Sequence, residues 1–450
     1  MSVPISPLAG ILCFAVAVVA GAAIVDAAPS DRLSALERRL ARHVDEHEGE
    51  ALALLERAVN LNSGTMNFDG VRAVGALFRA EFDRLGFTTR WADGAAFGRA
   101  GHLVAHRAAK GSGAPRIVLI GHLDTVFERD SPFQRYELLP AEAGKPPRAK
   151  GPGTTDMKGG DVILLQALGA LAAEHVLDRL DVTAVLMGDE EDSGAPLSLA
   201  RADLMTAADG ADVALGFEDG DGKFENAVVA RRSASGWSLK VTGQPAHSSQ
   251  IFRDEYGDGA IFELARILDG FRRELSAEQF LTFNPGVVLG GTAIDFDAVQ
   301  LRGSVSGKNN VIACQAVATG DLRTLSPEQH ASAKRRMSEI VAAHLPHTSA
   351  EITFDDGYPP MAPTPGNQRL LGLFDQASRD LGFGPVQAVD PRQAGAADIS
   401  FVAARVKMAL DALGLKGSGG HTAGETADLS TLGKQTKRVA VLLSRLATPH

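Results

Sequence analysis

The sequence predicts an α/β fold with a mostly parallel sheet and helices on both faces. Between residues 116 and 218, short apolar segments typical of strands alternate with longer segments of helical periodicity. Strands separated by helices favour parallel pairing in a sheet that is covered on both faces. A chain of 450 residues is also too long for a single growing core, so a second structural unit is expected.

The elements in and before this sheet can be predicted in chain order. Residues 32–61 carry Leu, Ala and Val at helical spacing and predict one or two surface helices. A glycine-rich stretch at 151–160 predicts a loop. The sheet segments around this loop are predicted as a strand at 117–120, a helix at 162–173, and strands at 182–187 and 213–215.

The pattern changes between about residues 233 and 355. Alternating polarity predicts a strand at 237–241, and helical periodicity predicts a helix at 259–275. A strand at 310–322 and a helix at 327–345 follow. A β-α-β-β-α-β order suits this stretch, an α+β insert of about 120 residues. The α/β pattern resumes with helices at 367–381 and 430–446.

The N-terminal segment predicts export from the cytoplasm. Residues 8–25 are almost entirely apolar, and a small-residue cleavage pattern follows at 25–27. We expect a signal peptide cleaved near Ala27 or Ala28 and a secreted or periplasmic protein. An uncleaved membrane anchor is the alternative, because the apolar run is long and no Lys or Arg precedes Arg32. Since Cys13 lies in this segment, Cys314 has no disulfide partner in the mature chain.

Composition and charge exclude one class of partner. With 45% hydrophobic and 22% charged residues the chain is an ordinary folded protein. The formal net charge of −10 argues against nucleic-acid binding, which needs a basic surface. Acidity favours cation binding, and no stable membrane association is expected after signal cleavage.

Three of the predicted strands run directly into carboxylates or a histidine. His122 and Asp124 follow the first strand, Glu190 and Glu191 follow the next, and Glu218 follows the third. In an open α/β sheet, ligands bind beyond the carboxyl ends of the strands, so these side chains should converge. Converging histidine and carboxylate groups predict a metal site.

Two residues outside the strands add further donors. Asp156 lies in the glycine-rich loop, and His421 lies in a Gly-Gly-His-Thr segment far downstream. A metal hydrolase needs ligands, a base and a group that holds the oxyanion. Asp124 is placed to orient the imidazole of His122, and one of two adjacent glutamates could bind metal while the other faces the water. Each residue alone has an ordinary explanation, such as a solvated acidic turn or a helix cap.

Five ordered motifs lie at residues 121–126, 151–160, 189–194, 243–248 and 419–422. In these motifs the chain resembles the M20 metallopeptidases, particularly their glutamate carboxypeptidase-like branch. The resemblance implies a di-zinc catalytic domain interrupted by a smaller lid or dimerisation domain. With the signal peptide and the insert read above, the expected boundaries are a signal peptide at 1–28, a catalytic domain at 29–232 and 356–450, and a lid at 233–355.

The resemblance also implies roles for the strand-end residues. Asp156 would bridge two zinc ions in each subunit, with Co²⁺ or Mn²⁺ as substitutes. One ion would be completed by His122 and Glu218, and the other by Glu191 and His421. Glu190 would then be the general base, and Asp124 would assist catalysis by orienting His122.

The lid would contribute the remaining groups. His247 would stabilise the oxyanion, in its own or in a partner subunit's site, since the resemblance implies a homodimer through the lid. Asn310 and Arg323 would hold substrate, because an arginine can grip a carboxylate with two hydrogen bonds. The chain departs from the family at Ala313, where proline is common, and at residues 395–398, an imperfect match to a glycine-rich substrate motif.

Together these features predict a secreted di-zinc hydrolase of amide bonds. The expected substrate is a peptide that loses a C-terminal amino acid such as glutamate. The choice of glutamate rather than aspartate at position 218 resembles the carboxypeptidase and deacylase members of the family more than the aminopeptidase members. An N-acyl amino acid deacylase or a dipeptidase is the enzymatic alternative. The other alternative is a secreted binding protein without activity. That alternative predicts an incomplete set of metal ligands, whereas every ligand and Glu190 are present.

Other catalytic motifs are weak or missing. His43, Glu46 and His47 match the His-x-x-Glu-His pattern of inverted zinc peptidases, but a solvated face of a charged helix is the simpler explanation. No Gly-x-Ser-x-Gly motif or phosphate-binding loop occurs in the sequence. Cys314 lies in a predicted strand, so we expect a buried structural thiol there and not a nucleophile.

Overall fold

The computed structural model describes residues 32–448, so the predicted signal peptide and its cleavage site lie outside the described residues. The helices are α1 (Ala35–Glu46), α2 (Glu48–Val59), α3 (Phe68–Arg84), α4 (Lys158–Ala173), α5 (Leu197–Ala200), α6 (Ala202–Ala207), α7 (Gly259–Leu275), α8 (Pro327–Ala342), α9 (Pro365–Asp380) and α10 (Leu432–Leu446). Within the range described, no helix is both long enough and apolar enough to cross a membrane.

The strands form one large sheet, a second sheet and several short pairs. In chain order they are β1 (Thr88–Asp93), β2 (Gly101–Arg107), β3 (Arg116–His122), β4 (Glu137–Leu138), β5 (Arg148–Lys150), β6 (Asp181–Met187), β7 (Val213–Gly216), β8 (Asn226–Ala227), β9 (Ala234–Gly243), β10 (Thr282–Gly291), β11 (Ala293–Asp297), β12 (Arg302–Ser306), β13 (Gln315–Arg323), β14 (Thr348–Tyr358), β15 (Gln387–Ala388), β16 (Met408–Leu410), β17 (Gly417–Ser418) and β18 (Thr426–Asp428).

The large sheet has the order β1-β2-β6-β3-β7-β16. Strands β6, β3, β7 and β16 are parallel to one another, whereas β2 pairs antiparallel with both β6 and the edge strand β1. Helices α1, α2, α4 and α10 pack together over one face. The short helix α6 and the turn Asp398–Phe401 cover the other face. The predicted α/β fold with helices on both faces is therefore confirmed.

Two element boundaries differ from the sequence prediction for physical reasons. Helix α4 begins at Lys158 and not at residue 162, so two glycines assigned to the loop lie in its first turn. A side chain at Gly160 would collide with the carbonyl oxygen of Phe217, so glycine is needed for close packing of the helix. The strand predicted from residue 310 begins at Gln315, because the preceding segment bridges irregularly to His247.

The second sheet belongs to the lid and has the antiparallel order β10-β13-β9-β14. Its elements follow the order β-α-β-β-α-β, with the extra hairpin β11–β12 inserted before β13. Helices α7 and α8 pack on this sheet. The lid has a hydrophobic core of its own, in which the rings of Trp237 and Phe271 meet edge to face at 5.8 Å.

Two segments join the lid to the catalytic domain, residues 228–233 and 358–361, which we call the interdomain connection. They are bonded to each other, because Arg231 and Met361 exchange both main-chain hydrogen bonds at 3.0 and 2.9 Å. Arg231 is buried, and its side chain forms an ion pair with Asp411 of the catalytic domain at 2.9 Å. Asp411 in turn accepts a hydrogen bond from the main chain of Glu218 at 3.4 Å.

Candidate metal centre

The predicted site residues converge at one edge of the large sheet. Strands β6, β3 and β7 are adjacent and parallel, so their carboxyl ends lie side by side. His122 is the last residue of β3, and the turns after β6 and β7 carry Glu191 and Glu218. Asp156 and His421 reach the same place from the loops before α4 and after β17.

The carboxylate of Asp156 lies between two clusters of histidine and glutamate side chains, which are residue types that bind metal ions. One of its carboxylate oxygens is 3.0 Å from Nε2 of His122, which is 3.6 Å from Glu218. Its other oxygen is 3.0 Å from Nε2 of His421, which is 3.0 Å from Glu191. In each group the donor atoms lie within 4.8 Å of one another. The geometry therefore offers two adjacent sites that share one carboxylate.

The chemistry of these donors fits two cations. Imidazole nitrogens and carboxylate oxygens are ligands that Zn²⁺ accepts. One carboxylate oxygen of Glu191 is buried without a hydrogen-bond partner among the described residues, and burial raises the pKa of Glu191 to about 7. Burial also raises the pKa of Glu218 well above its usual value. Carboxylates gathered this closely need positive charge to remain ionised.

His421 is the exposed member of the set. Hydrogen bonds to Asp156 and Glu191 raise the pKa of its imidazole to about 11. Its backbone has a positive φ of 60°, which is uncommon for a residue other than glycine. Such strain is often found at functional sites, where the surroundings hold the residue in place.

Asp124 contacts both His122 and the turn that carries Glu190 and Glu191. Its carboxylate lies 3.4 Å from Nδ1 of His122, and its main-chain oxygen lies 3.1 Å from the same nitrogen. Its two oxygens also accept hydrogen bonds from the main-chain N–H groups of Glu190 and Glu191, each at 3.1 Å. Thr65 donates a further hydrogen bond at 2.7 Å. Asp124 thus contacts both the imidazole of His122 and the turn that carries Glu190 and Glu191, and its catalytic role stays a prediction.

Glu190 is a half-buried acid beside the two donor groups. Burial raises the pKa of its carboxyl group well above the usual value, and the negative charges of Asp398, Glu191 and Asp156 add to the effect, while His122 opposes it. A carboxyl group with a raised pKa takes up a proton more readily than an ordinary glutamate, as a general base must.

Sequence reasoning missed Glu425, which holds the loop that carries Asp156. The buried carboxylate of Glu425 accepts main-chain hydrogen bonds from Gly153 at 3.1 Å, Thr155 at 2.8 Å and Asp156 at 3.1 Å. No local pattern indicates this role, because a lone glutamate four residues after His421 resembles any surface acid. The contact spans about 270 residues of sequence and is visible only in the fold.

The structure brings together two of the three predicted lid residues. His247 is exposed and forms an isolated bridge with Val311, next to Asn310, whose carbonyl accepts a hydrogen bond from Ser248 at 2.9 Å. Arg323 lies at the opposite end of β13, where its side chain contacts Asp321 at 3.2 Å. The length of that strand is about 27 Å, so Arg323 is remote from Asn310 within one chain. The substrate roles of all three stay predictions.

The His-x-x-Glu-His motif at residues 43–47 does not form a group of metal donors in the structure. The rings of His43 and His47 stack at 3.9 Å, and Nδ1 of His47 contacts the carbonyl of His43 at 2.8 Å. In the stretch 32–448, the sets of three donors close enough for a metal are the two around Asp156. Cys314 is half-buried and not buried as expected, since it precedes β13 and its thiol reaches the carbonyl of Thr292 at 3.2 Å.

Known proteins share this sequence pattern and this fold. The sequence model of peptidase family M20/M25/M40 matches residues 118–445. Carboxypeptidase G2 from Pseudomonas sp. (strain RS-16) is 25% identical over 412 residues, which cover 89% of this chain and 90% of that enzyme.

Solved structures agree at the level of the fold. Aminopeptidase PepT from Bacillus cereus superposes with a TM-score of 0.68 at 18% identity, over 89% of this chain and 99% of the other. YXEP from Bacillus subtilis, described as a dinuclear metal-binding peptidase, superposes with a TM-score of 0.59 at 14% identity, over 89% and 98%. The family match spans most of the chain and includes the strand ends that carry the donor groups. The chain therefore belongs to peptidase family M20/M25/M40 and is a metal-dependent peptidase or amidohydrolase.

Proposed function

We propose that this protein is a carboxypeptidase that uses two metal ions, zinc first among them, to release a C-terminal amino acid such as glutamate. The observation that carries the proposal is the position of Asp156, which presents one oxygen to each of two histidine-carboxylate groups. Similarity to carboxypeptidase G2 over nearly the whole chain supports the carboxypeptidase reaction. Similarity to a dinuclear peptidase supports two ions.

The ligands of one ion would be His122, Asp156 and Glu218, and those of the other would be Asp156, Glu191 and His421. When bound, the ions supply Lewis acidity to water and to the scissile carbonyl group. The chain itself supplies proton transfer and positioning. Glu190 takes a proton from the attacking water and returns it to the leaving amine, as its raised pKa allows.

The lid supplies the oxyanion-stabilising group that the metal centre lacks. His247 is exposed at the end of the lid sheet remote from the interdomain connection, a position suited to an oxyanion-stabilising role in the site of a partner subunit. We therefore propose a homodimer formed through the lid. The apolar N-terminal run supports a secreted or periplasmic location.

A substrate panel with matched variants tests the function. Dipeptides with varied C-terminal residues are compared with N-acyl amino acids as substrates, and the metal content of the same samples is measured. We expect cleavage of peptides with a C-terminal glutamate and little hydrolysis of N-acyl amino acids. Faster hydrolysis of N-acyl amino acids would instead assign a deacylase, and no hydrolysis of either set would refute the proposal.

Substitutions in the acidic turn separate the base from the ligand. Glu190→Gln should lower kcat by about 10²- to 10⁴-fold with metal content kept, because general acid–base catalysis contributes that much. Glu191→Gln should weaken metal binding itself. Asp192→Asn is the matched control, since Asp192 is exposed and pairs with Arg99 at 2.9 Å. Wild-type turnover in Glu190→Gln would sink the base assignment.

A further inference from the structure

Tyr358 links the lid to the turn that carries Glu190. It is the last residue of β14, where the chain leaves the lid, and it pairs with Ala234, where the chain enters the lid. Its hydroxyl group donates a hydrogen bond to the main-chain carbonyl of Glu190 at 3.0 Å. A residue of the interdomain connection is thus bonded directly to the residue we propose as the base.

Arg201 fixes the direction of this hydrogen bond. Its side chain is buried and donates to Asp189 and to Asp398, each at 2.7 Å. Its remaining nitrogen donates to the hydroxyl of Tyr358 at 2.7 Å and to Ser193 at 2.9 Å. The arginine occupies a lone pair of the tyrosine oxygen, and the hydroxyl proton goes to the carbonyl of Glu190 at 3.0 Å, while Oγ of Ser193 lies farther away at 3.2 Å.

The surroundings keep the tyrosine hydroxyl protonated and its ring in place. Burial raises the pKa of Tyr358, and the nearby charges of Asp398 and Glu190 add to this effect. The ring packs edge to face against Phe401 at 4.9 Å. Tyr358 is therefore a constant hydrogen-bond donor at neutral pH.

The glutamate turn is held from two sides by different parts of the molecule. Asp124, on the catalytic sheet, accepts the N–H groups of Glu190 and Glu191, while Tyr358, from the lid strand, donates to the carbonyl of Glu190. A cavity of about 670 Å³ adjoins Tyr358 and Arg201 and separates α5 from α8 of the lid. This space therefore lies between the catalytic domain and the lid, next to the hydrogen bond.

We propose that Tyr358 is a positioning residue that makes the placement of the Glu190 carboxylate depend on the orientation of the lid. The inference rests on the proposed function, in which Glu190 is the base. Movement of β14 pulls on the carbonyl of Glu190 through the tyrosine hydroxyl, while Asp124 holds the adjacent N–H groups still. Substrate that brings the lid to its working angle would thereby bring the base to its working position.

Tyr358→Phe tests the proposal, because it removes the hydroxyl and keeps the ring against Phe401. We expect kcat to fall between about twofold and about tenfold, the range for loss of one hydrogen bond, with KM and metal content little changed. Hydrogen exchange measured by mass spectrometry should show faster exchange in residues 188–194 and unchanged exchange in β3. Ser349→Ala is the matched control, since it removes a hydroxyl from the same strand at its other end, where Ser349 meets Thr242 at 2.6 Å.

The outcomes separate this inference from the proposed function. If the wild-type protein hydrolyses no peptide or N-acyl amino acid, the proposed function fails, and exchange of residues 188–194 still reports on the hydrogen bond. If the wild type is active, unchanged kcat in Tyr358→Phe overturns the inference, as does a fall in kcat with unchanged exchange of the turn. Loss of the fold in Tyr358→Phe would assign the tyrosine to stability and would overturn it as well.

Discussion

Replacing Glu425 with glutamine should weaken metal binding without removing any ligand. The glutamine oxygen can still accept the N–H groups of Thr155 and Asp156, at the 2.8 and 3.1 Å positions of the glutamate. The glutamine NH₂ group must then face the N–H of Gly153, which the second carboxylate oxygen accepts at 3.1 Å. One hydrogen bond to a charged group is lost, and two donors are placed against each other.

The expected magnitude follows from that loss. A hydrogen bond to a charged group contributes about 1.5–3 kcal/mol. If the loop holds Asp156 in its bridging position, this loss raises the metal Kd by about 10- to 150-fold, at 1.4 kcal/mol for each factor of ten. Comparable losses, about 10- to 100-fold, are typical when residues that support metal ligands are replaced.

The assay is a competition titration of zinc against a chromophoric chelator, with thermal unfolding measured in parallel. Asp428→Asn is the matched control, because it makes the same change of charge at a carboxylate that accepts a main-chain hydrogen bond from Ser430 at 2.9 Å, outside the metal loop. A zinc Kd within threefold of the wild type in a folded Glu425→Gln protein would refute the reasoning. An equal loss of affinity in Asp428→Asn would show a general effect of charge.

Two further predictions concern pH and the lid core. Metal binding should release protons at pH 7 and weaken as the pH falls, because His421, with a pKa of about 11 in the metal-free protein, and Glu191, with a pKa of about 7, must lose protons before they bind. Calorimetry in buffers of different ionisation enthalpy measures this release, and a heat independent of buffer would contradict it. Phe271→Ala should lower the free energy of unfolding of the lid by about 3–5 kcal/mol in denaturant titrations, because the ring is fully buried. Metal content should not change, and loss of metal from the folded variant would show that the two cores are coupled.

The sequence was sufficient to indicate the candidate metal donors, because their signals are local. His122, Glu191 and Glu218 stand at strand ends, and Asp156 stands in a loop that is recognisable by its glycines. Helix α7 was predicted with the bounds that the structure has, since its apolar periodicity is strong.

Contacts between distant parts of the chain could not be predicted in this way. Tyr358 and Arg201 are 157 residues apart in sequence, and neither has a neighbour that marks it as part of a network. Gly159 and Gly160 were assigned to a loop, because glycine in sequence indicates a turn, whereas here it permits close packing against neighbouring backbone. Helix α3 and strands β1 and β2 were not predicted, although they complete one edge of the sheet.

The position of β16 in the sheet has a consequence for how the polypeptide is made. Strand β7 ends at Gly216, but its neighbour β16 begins at Met408, roughly 190 residues later, after the whole lid. At the usual pace of a ribosome this interval lasts about 10–40 s. During that time β7 is an open edge of an unfinished sheet, the kind of surface to which other chains add strands. The nascent protein therefore has to keep this edge protected until its own C-terminal part arrives, and the same late segment delivers His421, the last of the candidate metal donors.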